Sequence, residues 1–477
     1  MKNPQMTDIY VAHSLKAEFT EENEENGNTS SGSPLKVQVF KRRWVQLFLY
    51  VLWGICSSYQ YPQFVIIGHI ISRYYDVSTL AVASTSIVLM VAYAVFLFPA
   101  LFLMERIGLK WTVVIGAALT CLGAWIKVFS RAPDRFPLLL TGQAMVAISQ
   151  VFIAPVPGKL AAFWFGNDQL ALATAIGCYA AHVGLSICFL TVPIFVRNHD
   201  DVEKIGHELS VIYWTVAIAC SVVTLAVLFL FQDEPPAPPS ESRALQKSTH
   251  ERFDTGVLVS FKKLLTKNRN FIILWNAYGL IVAVFNSTGT VLNPLFLTHF
   301  KNCEVDVGIM SLLLCFVGTI GSLIIASILD KTKKFRVIAI TVSSSSLFCE
   351  ILFATTLNME IKWTVFLSAS LFGITLISFS AIGFELCAEA TYPESQALST
   401  GILSTAGQIY GAFVTPLILK VIHVYGDTAG HAVILAILGL GTLLTISNKI
   451  DLRRQRAEES AMRYNPLSQG VLRKIDK

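Results

Sequence analysis

Twelve long apolar stretches, each of about 20 residues or more, leave this chain few ways to fold. They run over 44–71, 79–103, 110–128, 136–158, 171–195, 209–231, 270–297, 305–329, 336–357, 362–388, 396–422 and 429–447. About 20 helical residues cross the roughly 30 Å of hydrocarbon in a bilayer. Inside it, each backbone N–H and C=O must be satisfied by the segment itself. The pattern therefore predicts an all-α membrane protein with 12 transmembrane helices. Composition agrees: 53% of the 477 residues are hydrophobic and 14% are charged, against about 25% charged in soluble domains.

The formal net charge is +5, but the basic residues form no continuous face, and no nucleic-acid partner is expected. They cluster between the stretches: Lys41-Arg42-Arg43, Arg106 with Lys110, Lys262-Lys263 with Lys267 and Arg269, Lys331 with Lys333-Lys334 and Arg336, and Arg453-Arg454 with Arg456. With alternating spans all of these fall on one side, which by the positive-inside rule is the cytoplasmic one. Both chain ends lie there too.

A Pro-rich and polar segment from Asp233-Glu234-Pro235-Pro236 to Arg269 interrupts the apolar pattern and reads as a linker. The resulting organisation is a disordered cytoplasmic tail over 1–43, a six-helix half over 44–231, the cytoplasmic linker over 232–269, a second six-helix half over 270–447 and a cytoplasmic tail over 448–477. The halves echo each other at an offset of about 225 residues: Glu105-Arg106 with Lys110 corresponds to Asp330-Lys331 with Lys334, and His182 aligns with Gln408. Repeated six-helix units around a midplane site are a transporter architecture.

Catalytic signatures are missing. There is no GxxxxGK[ST], HExxH or GxSxG, so neither an enzyme nor a metal or other cofactor is expected. The nine cysteines show no CxxC spacing and read as small core hydrophobes.

The acidic and basic residues after the second stretch, repeated after the eighth, resemble the loop motif of the major facilitator superfamily. Longer strings carry a closer likeness: Gly123-Ala124-Trp125-Ile126-Lys127, Gly142-Gln143, Gln150-Val151-Phe152-Ile153, Trp164-Phe165-Gly166, Gly383-Phe384-Glu385 and Gln408-Ile409-Tyr410-Gly411. These resemble the feline leukaemia virus subgroup C receptor-related family. The resemblance implies a carrier of choline or ethanolamine, with haem as an alternative cargo. It further implies a cation site built from a Trp of the first helix, a Tyr of the seventh and glutamines of the fifth and eleventh. Here those positions hold Tyr61, Asn286, His182 and Gln408. Only the last is retained, so choline itself is in question.

Quaternary ammonium groups are held by aromatic faces. Tyr59 and Trp53 either extend a cage around Tyr61 or pack between helices. Gln60 and Gln63 flank Pro62, which frees backbone carbonyls; their amides either bind solute or satisfy that backbone. His182 sits at bilayer depth, where ionisable groups are costly and usually face a cavity, and is expected to make uptake pH-sensitive. Glu105, Arg106, Lys110, Asp330 and Lys331, with Glu385 and Glu389, are expected to form an inner charge latch. Lys127 and Glu350, near span ends, read as snorkelling side chains.

The sequence thus points to a multi-pass carrier, expected as a monomer in the plasma membrane, with lysosome and mitochondrion as alternatives. Its partners are a small-molecule solute (choline, ethanolamine or haem) and the lipid bilayer. A receptor or sensor with a transporter fold is the competing reading, and the short loops offer it little surface.

Overall fold

The computed structural model describes residues 38–166, 169–237, 239, 268–300, 303–391 and 396–448. Most of the linker and both tails lie outside the described residues. Within them the chain is helical: α1 (Arg43–Tyr59), α2 (Gly68–Tyr75), α3 (Thr79–Phe129), α4 (Phe136–Val151), α5 (Val156–Trp164), α6 (Leu170–Phe195), α7 (Val202–Leu230), α8 (Arg269–His299), α9 (Glu304–Thr332), α10 (Phe335–Asn358), α11 (Lys362–Thr391), α12 (Gln396–Tyr425) and α13 (Asp427–Ser447).

These helices make twelve spans. α1 and α2 are two pieces of the first. α3 holds the second and third, separated at Gly108, whose φ of 83° takes it out of the helical region. Only glycine adopts that conformation cheaply. Asp233, just past α7, accepts from the Lys110 backbone N–H at 3.0 Å and so caps the restarted helix. α4 and α5 form the fourth span, bent by 43° at their junction, where Pro155 and Pro157 interrupt the hydrogen-bond ladder. α6 to α13 supply the remaining eight. Side chains such as Phe229, Phe348, Trp363 and Phe413 are more than two-thirds exposed. Apolar surface this open belongs against lipid rather than water.

In the N-terminal half α1 packs on α6 and α7, and α3 on α4 and α7; in the C-terminal half α8 packs on α12 and α13, and α11 on α9 and α10. The halves meet along two helix pairs, α6 with α9 and α3 with α12. A Cβ on Gly308 would collide with the Phe189 carbonyl, so α9 approaches the α6 backbone as only glycine allows.

The break in the first span is built by its neighbours. α1 stops at Tyr59, and residues 60–67 run through turns before α2 begins. Pro62 cannot donate a helical bond, and the freed carbonyls lie at membrane depth. Gln143 Nε2 of α4 donates to Gln60 O at 3.0 Å and to Tyr61 O at 3.3 Å, while Gln150 Nε2 donates to Ser57 O at 2.9 Å. A buried carbonyl stripped of its donor costs about 1–3 kcal/mol. Gln143→Leu is accordingly expected to destabilise the protein by about 2 kcal/mol, read as a lower unfolding midpoint in detergent. An unchanged midpoint would remove this role.

Lys127 and Glu350 do not snorkel. Both are almost fully buried, because each is turned toward a polar partner inside its own half. Lys127 Nζ donates to Gln60 Oε1 at 3.1 Å and lies 5.2 Å from the Phe64 ring centroid. Glu350 Oε1 meets His431 Nδ1 at 2.7 Å. All nine cysteines are free thiols.

Candidate solute-binding site

Because the first span unwinds, consecutive side chains turn in different directions. Gln60 faces into the N-terminal half, where Lys127 takes its Oε1 and its Nε2 donates to Cys56 O at 3.3 Å and contacts Cys220 Sγ at 3.5 Å. Tyr61 faces the other half and donates its hydroxyl to the Asn286 carbonyl of α8 at 3.4 Å. The two positions are 225 residues apart, the offset of the internal repeat.

Tyr61 and Asn286 border a cavity at the junction of the halves, with about 40 Å³ of water-accessible volume. α6 contributes Leu185 and Phe189, α8 adds Phe285 and Thr290, and α9 adds Ser311 and Cys315. Three aromatic rings and several hydroxyl and amide groups therefore share one small space. The Ser311 hydroxyl is buried and has no hydrogen-bond partner among the described residues.

His182, Gln408, Gln60 and Gln63 are not on the cavity wall. His182 lies three residues before Leu185 and seven before Phe189, the spacing of one helix face, so it continues the lining face of α6 one turn toward the inner side. Its Nδ1 has no partner among the described residues, and its ring sits 5.8 Å from that of Tyr179. Gln408 follows Gly407, whose carbonyl accepts from Asn286 Nδ2 at 3.4 Å. Its Oε1 is buried without a described partner, as is that of Gln63. Trp53 is sealed in the N-terminal half, donating to Thr120 Oγ1 at 3.0 Å. The Tyr59 hydroxyl pairs with Thr191 at 3.1 Å.

On the inner side, Glu105 is held within its own half by Lys159, Oε1 to Nζ 3.2 Å. Arg106 lies over the Phe102 ring at 4.4 Å, and the Lys110 ammonium is 6.0 Å from the Trp111 ring. Lys331 is exposed in the last turn of α9, and the side chain of Asp330 is outside the described set. Glu385 is exposed and Glu389 buried, one turn apart near the inner end of α11.

The opposite, outer side carries ties that sequence reasoning missed. Asn293 Nδ2 of α8 donates to Ile66 O at 2.6 Å. His69 Nε2 and Asn198 Nδ2 from the N-terminal half both reach Glu304 Oε1 at the start of α9, at 3.2 and 3.1 Å. The outer ends of the halves are therefore pinned together. The signal available was the placement of His69 and Asn293 as polar residues inside apolar stretches.

A profile of the Major Facilitator Superfamily matches residues 45–416. The chain belongs to that superfamily. Within it the chain groups with the family that the sequence motifs indicated. It is 34% identical over 436 residues to the choline/ethanolamine transporter flvcr2a of Danio rerio, covering 91% of this chain and 92% of that one. It is 31% identical over 426 residues to the choline/ethanolamine transporter FLVCR2 of Homo sapiens, covering 89% and 81%. Among solved structures, a D-xylose-proton symporter shares the fold at a TM-score of 0.63 and 14% identity, over 85% of this chain and 98% of that one. The protein is thus a multi-pass membrane transporter and not an enzyme.

Proposed function

We propose that the protein carries a small organic cation of the ethanolamine or choline type by alternating access, binding it between Tyr61 and Asn286. The observation that carries this reading is the cavity where the two halves meet, lined from both halves by aromatic rings and polar groups. Alternating access needs a site that both halves share. The relatives' names supply the solute class.

The chemistry of the wall favours ethanolamine over choline. A primary ammonium donates three hydrogen bonds; among the described residues the Ser311 hydroxyl on the wall has no partner, and neither have Gln408 Oε1 and His182 Nδ1 outside it. A quaternary ammonium donates none and depends on ring faces, of which Tyr61, Phe189 and Phe285 provide three. A cavity of about 40 Å³ excludes a porphyrin in this state. An inside-negative potential drives a monovalent cation inward by about 2.3 kcal/mol per 100 mV. The plasma membrane is the proposed location, and the monomer the proposed working unit.

The test is uptake of radiolabelled ethanolamine and choline into vesicles holding the purified protein. The expected result is saturable uptake of both, with the lower KM for ethanolamine and mutual competition. Uptake no greater than into protein-free vesicles would overturn the reading.

A further inference from the structure

The C-terminal half contains a second polar site that the solute cavity does not use. Glu350 of α10 and His431 of α13 meet at 2.7 Å, with side-chain exposures of 1% and 4%. A contact this short holds one proton between Oε1 and Nδ1. The other two atoms, Glu350 Oε2 and His431 Nε2, are buried and have no partner among the described residues. Buried polar atoms left open in this way call for a ligand or a function.

Glu350 opens on a cavity with about 10 Å³ of water-accessible volume, room for about one water. Thr288 and Leu292 of α8 border both this cavity and the solute cavity. Among the described residues no other ionisable side chain lines it: α8 presents Ser287 and Thr288, α11 presents Phe372, and α12 presents Ile418. Cys349, the neighbour of Glu350 on its own helix, is a buried thiol.

A second carboxylate–imidazole pair stands outward of the first. Asp427 stands four residues before His431, on the same face of α13 and about 6 Å nearer the outer end. Its Oδ2 meets His299 Nε2 at 2.7 Å, and these side chains are 20% and 14% exposed. Two carboxylate–imidazole pairs thus stand one helical turn apart, the first reached by outer water and the second facing a cavity beside the solute. Among the described residues, the other charged groups near that end are the Lys362–Asp306 pair, at 2.5 Å, Glu304 at the start of α9, the exposed Glu360 just past α10, and the exposed Lys420 and His423 of α12.

We propose that Glu350 and His431 form a proton-binding site, reached from the outer face past Asp427 and His299. With the shared proton and a second one on His431 Nε2 the pair is neutral; a proton arriving from outer water adds to the open Glu350 Oε2 and leaves the pair with one net positive charge. That charge and a cationic solute in the adjoining cavity repel each other, more strongly in a low dielectric than in water. Proton and solute therefore compete for the same half of the protein. Acid on the outer side is expected to slow cation uptake several-fold.

The proton site itself is independent of the solute's identity, while its effect on uptake rests on the carrier reading, and the experiment separates the two. Infrared difference spectra of the purified full chain, acid minus neutral, are expected to show a buried carboxyl band that vanishes in Glu350→Gln. The midpoint of that band is expected to shift in His431→Gln, which serves equally if the first variant fails to fold. Spectra of both variants identical to wild type would overturn the site whether or not any solute moves. In vesicles with labelled ethanolamine, Glu350→Gln is expected to flatten the dependence of uptake on outer pH. A flat profile in His182→Gln with a wild-type profile in Glu350→Gln would overturn the competition and assign pH sensitivity to His182.

Discussion

Replacing Tyr61 with alanine is expected to raise the KM for ethanolamine by about tenfold, with the protein still folded and inserted. Tyr61 is the aromatic face that the first span turns toward the C-terminal half. An aromatic face toward a desolvated cation contributes about 0.5–2 kcal/mol, and 1.4 kcal/mol is a factor of ten in affinity. Tyr61→Phe separates ring from hydroxyl. It keeps the face and loses only the 3.4 Å bond to the Asn286 carbonyl, so its KM is expected within about threefold of wild type, given the modest worth of a long neutral hydrogen bond. Choline, which depends on ring faces more than ethanolamine does, is expected to suffer the larger loss in the alanine variant. Initial-rate uptake of both solutes by the three proteins decides the matter. Equal kinetics in wild type and Tyr61→Ala would place the solute elsewhere.

The second large effect is expected at Gly308, where the halves approach backbone to backbone. α9 passes α6 with no room for a Cβ against the Phe189 carbonyl. This position is one turn below Glu304, so it closes with the outer ties. Gly308→Val inserts a branched side chain into that contact, and overpacking of this kind costs about 1–3 kcal/mol or more. The cost falls on the outer-closed state alone. A bias of about 2 kcal/mol on one of two states shifts their ratio roughly 30-fold. Turnover is therefore expected to fall by an order of magnitude or more, while equilibrium binding of labelled ethanolamine from the outer side persists. Gly308→Ala, with less bulk, is expected to give a smaller loss. Turnover unchanged in the valine variant would show that the halves do not close at this point.

Much of the fold was legible because the bilayer imposes it. Apolar runs of span length can only be helices there, and the Pro-rich linker with the charge echoes marked two halves. The unwinding around Pro62 was partly legible, since proline between two glutamines signals freed carbonyls. What satisfies those carbonyls was not. Gln143 and Gln150 lie some 80 to 90 residues further on, and only tertiary packing brings them there. Lys127 and Glu350 were misread because position along a span gives depth and says nothing of which way a side chain turns. The wall of the cavity was the hardest part. Phe189, Phe285 and Ser311 look like ordinary members of apolar runs. Tyr61 and Asn286 came from the family resemblance, and the 182, 185, 189 spacing on α6 was the one pattern that would have extended the wall.

The divided first span has a mechanical consequence. Its lower piece is fastened to its own half, with Gln46 holding Leu230 O at 3.2 Å and Trp53 holding Thr120. The far edge of its upper piece is fastened there too, through Tyr75 to Ser130 O at 2.9 Å. Between these anchors, Ile66 and His69 are gripped from across the divide by Asn293 and Glu304. Both pieces thus travel with the N-terminal half, and opening the outer mouth has to break the grips of Asn293 and Glu304 on Ile66 and His69 while leaving those anchors intact.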